Sequence, residues 1–468
     1  MRTVAVLGAG PAGLAAAHAA LAAGAHVVVL DEGERIGGQF WRHHDRLTRP
    51  GLQHQWARFT RLRDTLDTAA AAGAASVLTS TSVWHVEVSD GVRLHTLTGP
   101  ADAAGRPGRT IVADALVLAT GAHDRALPVP GWTLPGVTTA GAAQALAKRD
   151  GVTLGRRTVV AGTGPFLLPV AASLLRCGSA VPAVIEAAAP TAIATAWGRA
   201  PWRFAALPGK AAELAEYAGL MARHRTGYRT SRAVTRIHGT AAVEAVTVQR
   251  VDRDWHPIAG TDEIIECDAV ALGHGFTPRL EAAVQSGCAL TAAGFVGVDD
   301  AQATSVPGVY AAGEIIGIAG ADAALAEGVI AGFAAAGGDA ASDRVRGARR
   351  LRRRMRDFAR RLDAHAIGAG WTDWVEPDTI VCRCESVRRA VLDEYADAST
   401  RGLRLATRAG LGACQGRTCG RSVEDLLGRP IGFQQRPVLA SLRIGELADL
   451  HAPVHPTHPT EQTEQEQR

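Results

Sequence analysis

Two short apolar runs separated by a helical apolar segment open the chain and predict a strand–helix–strand unit. Residues 3–7 and 26–30 are typical of buried parallel strands, and residues 14–23 predict an alanine-rich helix that ends at Gly24. The same order of segments recurs over residues 158–161, 166–177 and 181–185. Two such units predict an α/β fold with two Rossmann-like dinucleotide-binding domains.

Alternating apolar and polar residues predict antiparallel inserts after each unit. They occupy residues 83–88, 92–97 and 110–118 in the first case and residues 233–272 in the second. Residues 344–361 then hold ten arginines, with Leu351, Met355, Phe358 and Leu362 at helical spacing on one face. We expect a linker helix, or one that meets an acidic partner. Nucleic acid is not expected as a partner, because Phe358 is the single aromatic residue among the arginines and lies on the apolar face.

The composition is that of a folded protein. The chain has 468 residues, of which 47% are apolar and 21% are charged, with a formal net charge of +4. This length fits roughly three domains at about 150 residues each. No apolar run is long enough for a membrane span, and glycines within residues 1–30 argue against a signal peptide. The polar segment after residue 450 predicts a disordered tail.

A glycine-rich turn follows the first predicted strand and opens the first predicted helix. It consists of Gly8, Gly10, Pro11, Ala12 and Gly13. Such a turn lets the backbone approach a pyrophosphate and presents helix N-terminal amides to it. Asp31 ends the next strand, where a carboxylate can accept hydrogen bonds from ribose hydroxyls. The sequence therefore predicts a dinucleotide site here.

Three later segments indicate which nucleotide this site holds. They read GGQFWR at residues 37–42, ATG at residues 119–121 and TSVPGVYAAGE at residues 304–314. Together they resemble the two-dinucleotide-domain flavoproteins, which include thioredoxin reductase and glutathione reductase. The resemblance implies FAD, bound by Gly8, Gly10, Pro11, Ala12, Gly13, Asp31, Glu32, Gly38, Gln39, Arg42, Ala119, Gly121, Gly313 and Glu314.

The resemblance also implies roles for two acidic residues. In this superfamily the residue at the Glu314 position holds the ribityl chain of FAD, and Glu replaces the usual Asp here. The next helix points its N-terminus at the flavin, and we expect Asp322 to cap it ahead of residues 323–336. A positive helix end would stabilise the negative charge that a reduced flavin acquires.

The second unit carries a weaker nucleotide motif. Gly162 and Gly164 follow its first strand and Glu186 ends its second, but Leu167 replaces the third glycine. Pro182 would also remove an amide from a predicted central strand. Two alternatives stay open: the site binds NAD, which Glu186 would favour over NADP, or the domain is a scaffold. No CxxC motif occurs, so disulfide reductase activity is not expected.

Four of the seven cysteines form two close pairs near the C-terminus. Cys382 and Cys384 are followed 30 positions later by Cys414, and then by Cys419. Four thiolates can bind [2Fe-2S] or zinc, and the tight Cys-x-Cys spacing favours iron and sulfur. Residues 385–396 and 421–427 predict helices that begin beside the pairs. The odd cysteine count argues against a disulfide framework and favours the cytoplasm.

The cysteine segments carry a second resemblance. The strings VCRCES and GLGACQGRTCG are similar to the [2Fe-2S] domain of the bacterioferritin-associated ferredoxin type. The whole domain order resembles the FAD-containing alpha (A) subunits of bacterial opine oxidase, hydrogen cyanide synthase and D-hydroxyproline dehydrogenase. Alpha subunits of sarcosine oxidase and archaeal L-proline dehydrogenase are more distant. The resemblance implies an FAD-dependent beta subunit that oxidises the substrate, with a small [2Fe-2S] gamma subunit as a further option.

The same resemblance gives the expected domain boundaries. Residues 1–150 and 270–340 form the FAD-binding domain, into which a degenerate NAD(P)-binding-like domain, 151–269, is inserted. A basic linker helix (341–375), a small helical [2Fe-2S] domain (376–435) and an extension with the tail (436–468) follow. NAD or ATP in a dinucleotide site, and FMN at a subunit interface, stay open as further cofactors.

Three functions are compatible with these features. The leading hypothesis is an electron-transferring alpha subunit of a heteromeric amine, amino-acid or opine dehydrogenase, which relays electrons from a partner flavin through [2Fe-2S]. The alternatives are a self-sufficient NADH-dependent reductase and a structural subunit that binds an adenine nucleotide. No catalytic residue is assigned, because the substrate chemistry is expected on another chain. Four histidines near the flavin motifs, more simply interpreted as ordinary, are His43, His44, His123 and His274.

Overall fold

The computed structural model describes residues 1–44, 52–199, 202 and 208–448. The predicted tail after residue 450 lies outside this range. The strands are β1 (Thr3–Leu7), β2 (His26–Leu30), β3 (Ala75–Leu78), β4 (Thr81–Ser89), β5 (Gly91–Thr98), β6 (Gly108–Ala113), β7 (Ala115–Leu118), β8 (Ala122–Asp124), β9 (Val137–Thr139), β10 (Thr158–Thr163), β11 (Ala183–Glu186), β12 (Gly227–Arg229), β13 (Arg232–His238), β14 (Ala245–Arg250), β15 (Glu263–Glu266), β16 (Ala269–His274), β17 (Phe276–Pro278), β18 (Val309–Ala311), β19 (Ile380–Cys382) and β20 (Val387–Arg388).

Helices cover the sheets and form most of the C-terminal part. The α-helices are α1 (Pro11–Ala22), α2 (Trp56–Ala71), α3 (Ala140–Asp150), α4 (Leu167–Arg176), α5 (Pro190–Gly198), α6 (Pro208–Arg223), α7 (Glu281–Gln285), α8 (Ala321–Ala335), α9 (Arg346–Leu362), α10 (Arg389–Glu394), α11 (Thr400–Thr407), α12 (Gly420–Leu427) and α13 (Ile444–Ala448). Short 3-10 turns span Asp343–Val345, Asp363–His365 and Ala369–Trp374. Within the described residues, no helix is both long and apolar enough to cross a bilayer.

The first sheet is parallel and has the order β18-β7-β1-β2-β3. The predicted bounds of β1 and β2 are confirmed, because these apolar runs are buried on both faces of a central sheet. The first helix begins earlier than predicted, at Pro11, since proline fits the first helical position without a missing hydrogen bond. The predicted α/β architecture is confirmed.

Small residues let α1 and α8 pack at backbone distance. A Cβ on Gly328 would lie 2.1 Å from the Ala12 carbonyl oxygen, and one on Gly332 would lie 2.0 Å from the Ala16 carbonyl oxygen. Only glycine fits at these positions. Helix α8 therefore packs against the alanine-rich face of α1. The segment just before α8 contains Gly313 and Glu314, which are predicted to bind the first nucleotide.

The second sheet is also parallel, with the order β12-β11-β10-β16-β9. Strand β9 pairs with β16, and α3 packs against α4. The range 1–150 therefore includes elements of the second sheet, and residue 270 falls within β16. Strand β11 begins at Ala183 rather than Val181, so Pro182 precedes the strand and removes no ladder hydrogen bond.

The two antiparallel inserts are three-stranded, with the orders β4-β5-β6 and β13-β14-β15. The predicted strand over residues 110–118 is two strands, because Asp114 breaks the run and accepts a hydrogen bond from the Thr3 amide at 2.7 Å. Its first half, β6, joins the insert, and its second half, β7, joins the parallel sheet. Residues 233–272 divide in the same way between β13–β15 and β16.

The arginine-rich helix α9 packs on α8 through the predicted apolar face. Met355 is buried against Ala319 and Ala323, with Leu351 and Phe358 partly buried beside it. Arg352 is also buried, and its guanidinium donates to the Asp299 and Asp300 carbonyl oxygens, each at 3.3 Å. After α9 the chain crosses to the second unit, where Trp374 stacks on Trp255 at 5.8 Å between ring centroids.

Alanine at Gly13 is expected to destabilise the first unit. Its Cβ would lie 1.7 Å from the Gly8 carbonyl oxygen, so the turn must move, at a cost of about 1–3 kcal/mol. Gly219, exposed in α6 with nothing within 4 Å of a Cβ, is the matched control. Gly219→Ala should stabilise by about 0.5–1 kcal/mol. Urea denaturation measures both, and equal effects would contradict this packing.

Candidate functional site

The glycine-rich turn forms a cradle at the carboxyl end of β1. Gly8 adopts φ 106°, and a Cβ there would lie 2.4 Å from the Ala119 carbonyl oxygen. The first helical turn of α1 has Gly10 at its N-cap and no side-chain cap. Its amides are therefore directed at the space in front of the turn, as an anionic pyrophosphate requires.

Asp31 lies beside this turn at the end of β2, as the sequence predicts. Its carboxylate accepts hydrogen bonds from the Ala9 amide at 2.6 Å and the Gly33 amide at 2.7 Å. Burial nevertheless raises the pKa of Asp31. Glu32 is more exposed and forms an ion pair with Arg279. Burial opposes ionisation of Glu32, but the hydrogen bonds and charge of Arg279 lower its pKa overall.

The segment 37–42 folds over the cradle and carries Arg42, and Lys148 of α3 lies beside it. A Cβ on Gly38 would lie 2.7 Å from the Gly10 Cα, so the two backbones touch. The Arg42 Nε is buried without a hydrogen-bond partner. Lys148 donates to the Phe40 carbonyl oxygen, and burial together with the nearby Arg42 charge lowers its pKa to about 8. Positive charge that is shielded from water and lacks an ion pair among the described residues fits an anionic ligand. Gln39, also predicted here, is exposed.

The carboxyl ends of β7 and β18 close the site from the other side. Ala119 directly follows β7, and Gly121 adopts φ 69° two residues later. Gly313 and Glu314 follow β18, and Glu314 accepts a hydrogen bond from the Gly320 amide at 3.2 Å. Burial raises the pKa of Glu314 to about 7. The structure thus brings the predicted FAD residues of five separate segments to one end of the first sheet.

The expected cap of α8 is wrong. The N-cap is Gly320, with φ 81°, and no side chain caps the helix. Asp322 lies in the first turn and points away to Lys210, at 3.3 Å, and to Gln55, whose amide donates to it at 2.9 Å. The Glu314 carboxylate accepts from the amide of the N-cap residue Gly320, and no side chain among the described residues caps the amides of the first turn.

Glu327 is a site residue that the sequence analysis missed. It lies in α8 at 6% exposure, and its carboxylate accepts a hydrogen bond from the Gly313 amide at 3.1 Å. Burial raises its pKa to about 7, although Arg352 and Arg356 act in the opposite direction. The signal in the sequence was a single charged residue inside the apolar run ALAEGVIAG.

The second nucleotide motif folds as predicted but is filled by protein. Leu167 is fully buried at the start of α4, and Gly273 makes room for it, since a Cβ there would lie 3.2 Å from Leu167 Cδ2. The missing glycine is therefore accommodated by the neighbouring strand. Glu186 at the end of β11 is inaccessible to solvent and hydrogen-bonds within the chain.

The four predicted ligand cysteines lie together as two pairs. Cys419 donates a hydrogen bond to the Cys382 sulfur, which lowers the pKa of Cys382 to about 6, and Cys384 contacts Cys414. Within the described chain, no group of three or more possible ligands has the geometry of a metal site. Helix α12 begins beside Cys419 as predicted. Helix α10 begins only at Arg389, because the hairpin β19–β20 intervenes.

The loop that joins Cys414 to Cys419 contacts strand β8, which follows β7 and pairs with β17. His123 in β8 hydrogen-bonds through Nε2 to the Arg417 carbonyl oxygen at 2.7 Å. Arg417 in turn donates to Glu281 at 2.8 Å. Arg125 forms an ion pair with Asp425 in α12. Three polar links thus join residues 376–435, which we call the cysteine module, to β8, to Arg125 directly after β8, and to α7.

The remaining histidines have structural contacts. His43 hydrogen-bonds to the Ile36 carbonyl oxygen at 3.1 Å, and the half-exposed His44 pairs with Asp150 at 2.7 Å. His274 is buried beside Trp255 and Trp374, and burial lowers its pKa to about 3. None of these contacts indicates a substrate site.

This arrangement defines the class of protein. Residues 2–328 match the family described as pyridine nucleotide-disulphide oxidoreductase. The chain belongs to this family and is an FAD-dependent oxidoreductase. The cradle that a Cβ would fill, the orphaned Arg42 Nε and the uncapped helix ends all fit FAD in the first site.

Two relatives match almost the whole chain. It is 31% identical to an opine oxidase subunit of Rhizobium meliloti (strain 1021), covering 96% of this chain and 98% of that protein. It is 32% identical to the hydrogen cyanide synthase subunit HcnB of Pseudomonas aeruginosa, covering 91% and 93%. These matches confirm the predicted resemblance. The crystal structure of L-proline dehydrogenase from P. horikoshii shares the fold, with a TM-score of 0.64, 19% identity, and coverage of 95% of this chain and 79% of that one.

Glu327 is expected to make stability depend on pH. Its folded-state pKa of about 7 exceeds the ordinary 4.5, so its favourable contribution is complete below pH 4.5 and is lost as the pH rises through 7. In the cofactor-free wild-type protein, the free energy of unfolding should therefore fall between about pH 5 and 8. In Glu327→Gln this fall should be smaller by on the order of 1–3 kcal/mol. Glu34→Gln, at an exposed position, is the control. An unchanged slope in Glu327→Gln, measured by urea denaturation, would contradict the raised pKa.

Proposed function

We propose that this chain is the electron-transferring alpha subunit of a heteromeric amine, amino-acid or opine dehydrogenase. In this proposal it receives electrons from a partner flavoprotein subunit and relays them through FAD and a [2Fe-2S] cluster held by Cys382, Cys384, Cys414 and Cys419. The observation that carries the proposal is the direct contact between the loop that joins Cys414 to Cys419 and strand β8, which follows the predicted flavin contacts Ala119 and Gly121.

The connection between the two sites is short along the chain. Strand β7 ends at Leu118, the predicted flavin contacts Ala119 and Gly121 follow, and His123 comes two residues after Gly121. The His123 imidazole then contacts the Arg417 carbonyl oxygen, which lies between Cys414 and Cys419 in the sequence. A flavin takes up two electrons, whereas a [2Fe-2S] cluster carries one at a time. A reduced flavin beside such a cluster can therefore pass on its two electrons singly.

The cysteine module offers the donor chemistry of an anionic cluster. Backbone amides of Glu385 and Gly410 donate to Cys382, and those of Gly416 and Thr418 donate to Cys414. Amide hydrogen bonds to the sulfurs stabilise added negative charge and tune the potential of iron–sulfur clusters. Cys419 is also the N-cap residue of α12, so a helix N-terminus adjoins the group.

The relatives support a multi-subunit assembly. The matched chains are named as a subunit of opine oxidase and a subunit of hydrogen cyanide synthase, and each aligns with at least 91% of this chain. The expected partner is therefore a flavoprotein beta subunit that oxidises a C–N bond, in the cytoplasm. The small [2Fe-2S] gamma subunit and an interface FMN belong to the same proposal.

The absorbance spectrum of the anaerobically purified protein tests the cofactors. Flavin bands and a broad iron–sulfur band are expected together, with iron and acid-labile sulfide present in equal amounts. Cys414→Ser should remove the iron–sulfur band and leave the flavin bands, because the FAD site is formed by other segments. Cys288→Ser, a buried thiol far along the chain from the module, is the control and should keep both bands. A Cys414→Ser protein with an unchanged spectrum would contradict the cluster assignment.

Reconstitution with the beta subunit tests the relay. The complex should reduce a one-electron dye with an opine, sarcosine, D-amino acid or proline analogue, and Cys414→Ser should slow dye reduction while substrate still bleaches the flavin. Bleaching of this chain's flavin by NADH alone would instead favour the NADH-dependent reductase. An extract that contains adenine nucleotide but no flavin would favour the structural subunit.

A further inference from the structure

The second dinucleotide cleft has the secondary structure of a nucleotide site. Its glycine loop, with Gly162 and Gly164, follows β10, and Glu186 ends the adjacent parallel strand β11. In such a fold the dinucleotide lies across the glycine loop, and the acid at the end of the second strand binds the ribose hydroxyls. Dinucleotide binding would require both the glycine loop and Glu186 to be accessible to the ligand.

Glu186 has no accessible surface and already accepts several hydrogen bonds. Its donors are the Thr163 hydroxyl at 2.8 Å, the Gly164 amide at 2.9 Å, the Ala188 amide at 3.0 Å and the Tyr228 hydroxyl at 3.0 Å. Asp31, its counterpart in the first site, accepts from two amides and remains partly exposed. A ribose at Glu186 would therefore have to displace protein donors, notably Tyr228 from β12.

The 3-10 turn Asp363–His365 covers the glycine loop. The Thr163 hydroxyl contacts the His365 carbonyl oxygen at 3.1 Å, and His365 Nδ1 lies 3.4 Å from Glu186 Oε2. A Cβ on Gly164 would be 3.9 Å from the His365 Cβ, which is van der Waals contact. The main chain and side chain of His365 thus lie against the loop and the acid that a dinucleotide would use.

Helix α9 anchors this turn to the second unit. Arg361, in its last turn, donates to the Ala196 carbonyl oxygen at 3.0 Å and the Trp197 carbonyl oxygen at 2.9 Å. The Trp197 indole contacts His365 Nε2 at 3.4 Å, and its ring meets Phe358 edge-on at 5.6 Å. Helix α5, which follows β11, is therefore bound to α9, the helix that leads into the turn.

The electrostatics favour keeping this arrangement. Burial opposes ionisation of Glu186, but the adjacent His365 imidazole and the amide and hydroxyl donors lower the pKa of Glu186 overall. Burial beside that carboxylate raises the pKa of Tyr228, so its phenol stays a donor. A buried carboxylate that loses donors without replacement incurs a desolvation penalty.

We infer that the second dinucleotide cleft is closed by the chain's own turn Asp363–His365, with Glu186 as the internal anchor of that turn instead of a ribose ligand. NAD(P)H does not fit the cleft while the turn is in place. This inference rests on the contacts around Glu186 and His365 and is independent of the cysteine cluster and of the partner subunit.

Titration of the FAD-loaded protein with NADH tests the closure. The wild-type protein should show no saturable binding up to about 1 mM. The triple variant Asp363→Gly/Ala364→Gly/His365→Gly removes the covering His365 side chain and loosens the turn, and it should bind NADH at least about tenfold more tightly than the wild type does. His256→Ala, which removes an exposed histidine that also pairs with a carboxylate, is the control and should behave as wild type. Micromolar binding by the wild type, or a triple variant that is as inert as the wild type, would overturn the inference.

Hydrogen exchange on the wild-type chain supplies a readout that needs no variant. Peptides that cover residues 361–367 should be protected from amide hydrogen exchange. Excess NADH should leave the exchange rate of residues 162–167 unchanged. Exchange of 361–367 at the rate of open coil, or protection of 162–167 by NADH, would contradict a closed cleft.

Discussion

Backbone contact between α1, α8 and β7 is the constraint on which the first site depends. Gly8, Gly13 and Gly328 each stand where a Cβ would lie within 2.4 Å of a carbonyl oxygen, so the turn, the strand end and the second helix can approach only without side chains. That approach places Ala119, Gly313 and Glu314 at the same end of the sheet as the glycine turn. The alanine-rich character of both helices follows from this requirement rather than from helix propensity alone.

Buried charges then distinguish the two Rossmann-like units. In the first, Lys148 is buried and Arg42 is half-buried with its Nε enclosed, and neither forms an ion pair with a carboxylate among the described residues. The first turns of α1 and α8 also lack side-chain caps, which leaves positive potential for a ligand to neutralise. In the second, Glu186 is saturated by protein donors and covered by His365. The same fold therefore presents one open anion site and one internally satisfied site. The cysteine module is held by two ion pairs, Arg417 with Glu281 of α7 and Asp425 with Arg125.

The sequence predicted what short-range patterns encode. Strands β1 and β2, the glycine turn, the position of Asp31 and the packed face of α9 follow from local periodicity and spacing. It did not predict Glu327, Lys148 or the His365 turn, because their roles come from contacts across long sequence separations, 202 residues in the case of Thr163 and His365. The expected cap at Asp322 failed for the same reason: Lys210 and Gln55, distant in sequence, draw the carboxylate away from the helix end.

The central claim is that flavin and a cysteine-bound [2Fe-2S] cluster are neighbours in one chain. Electron paramagnetic resonance of the complex, frozen during turnover with its amine substrate, tests it most directly. We expect a signal of a one-electron-reduced [2Fe-2S] cluster that rises as this chain's flavin is reduced and is absent from Cys414→Ser. Full flavin reduction without any iron–sulfur signal, in a wild-type chain whose cysteines hold zinc or no metal, would contradict it.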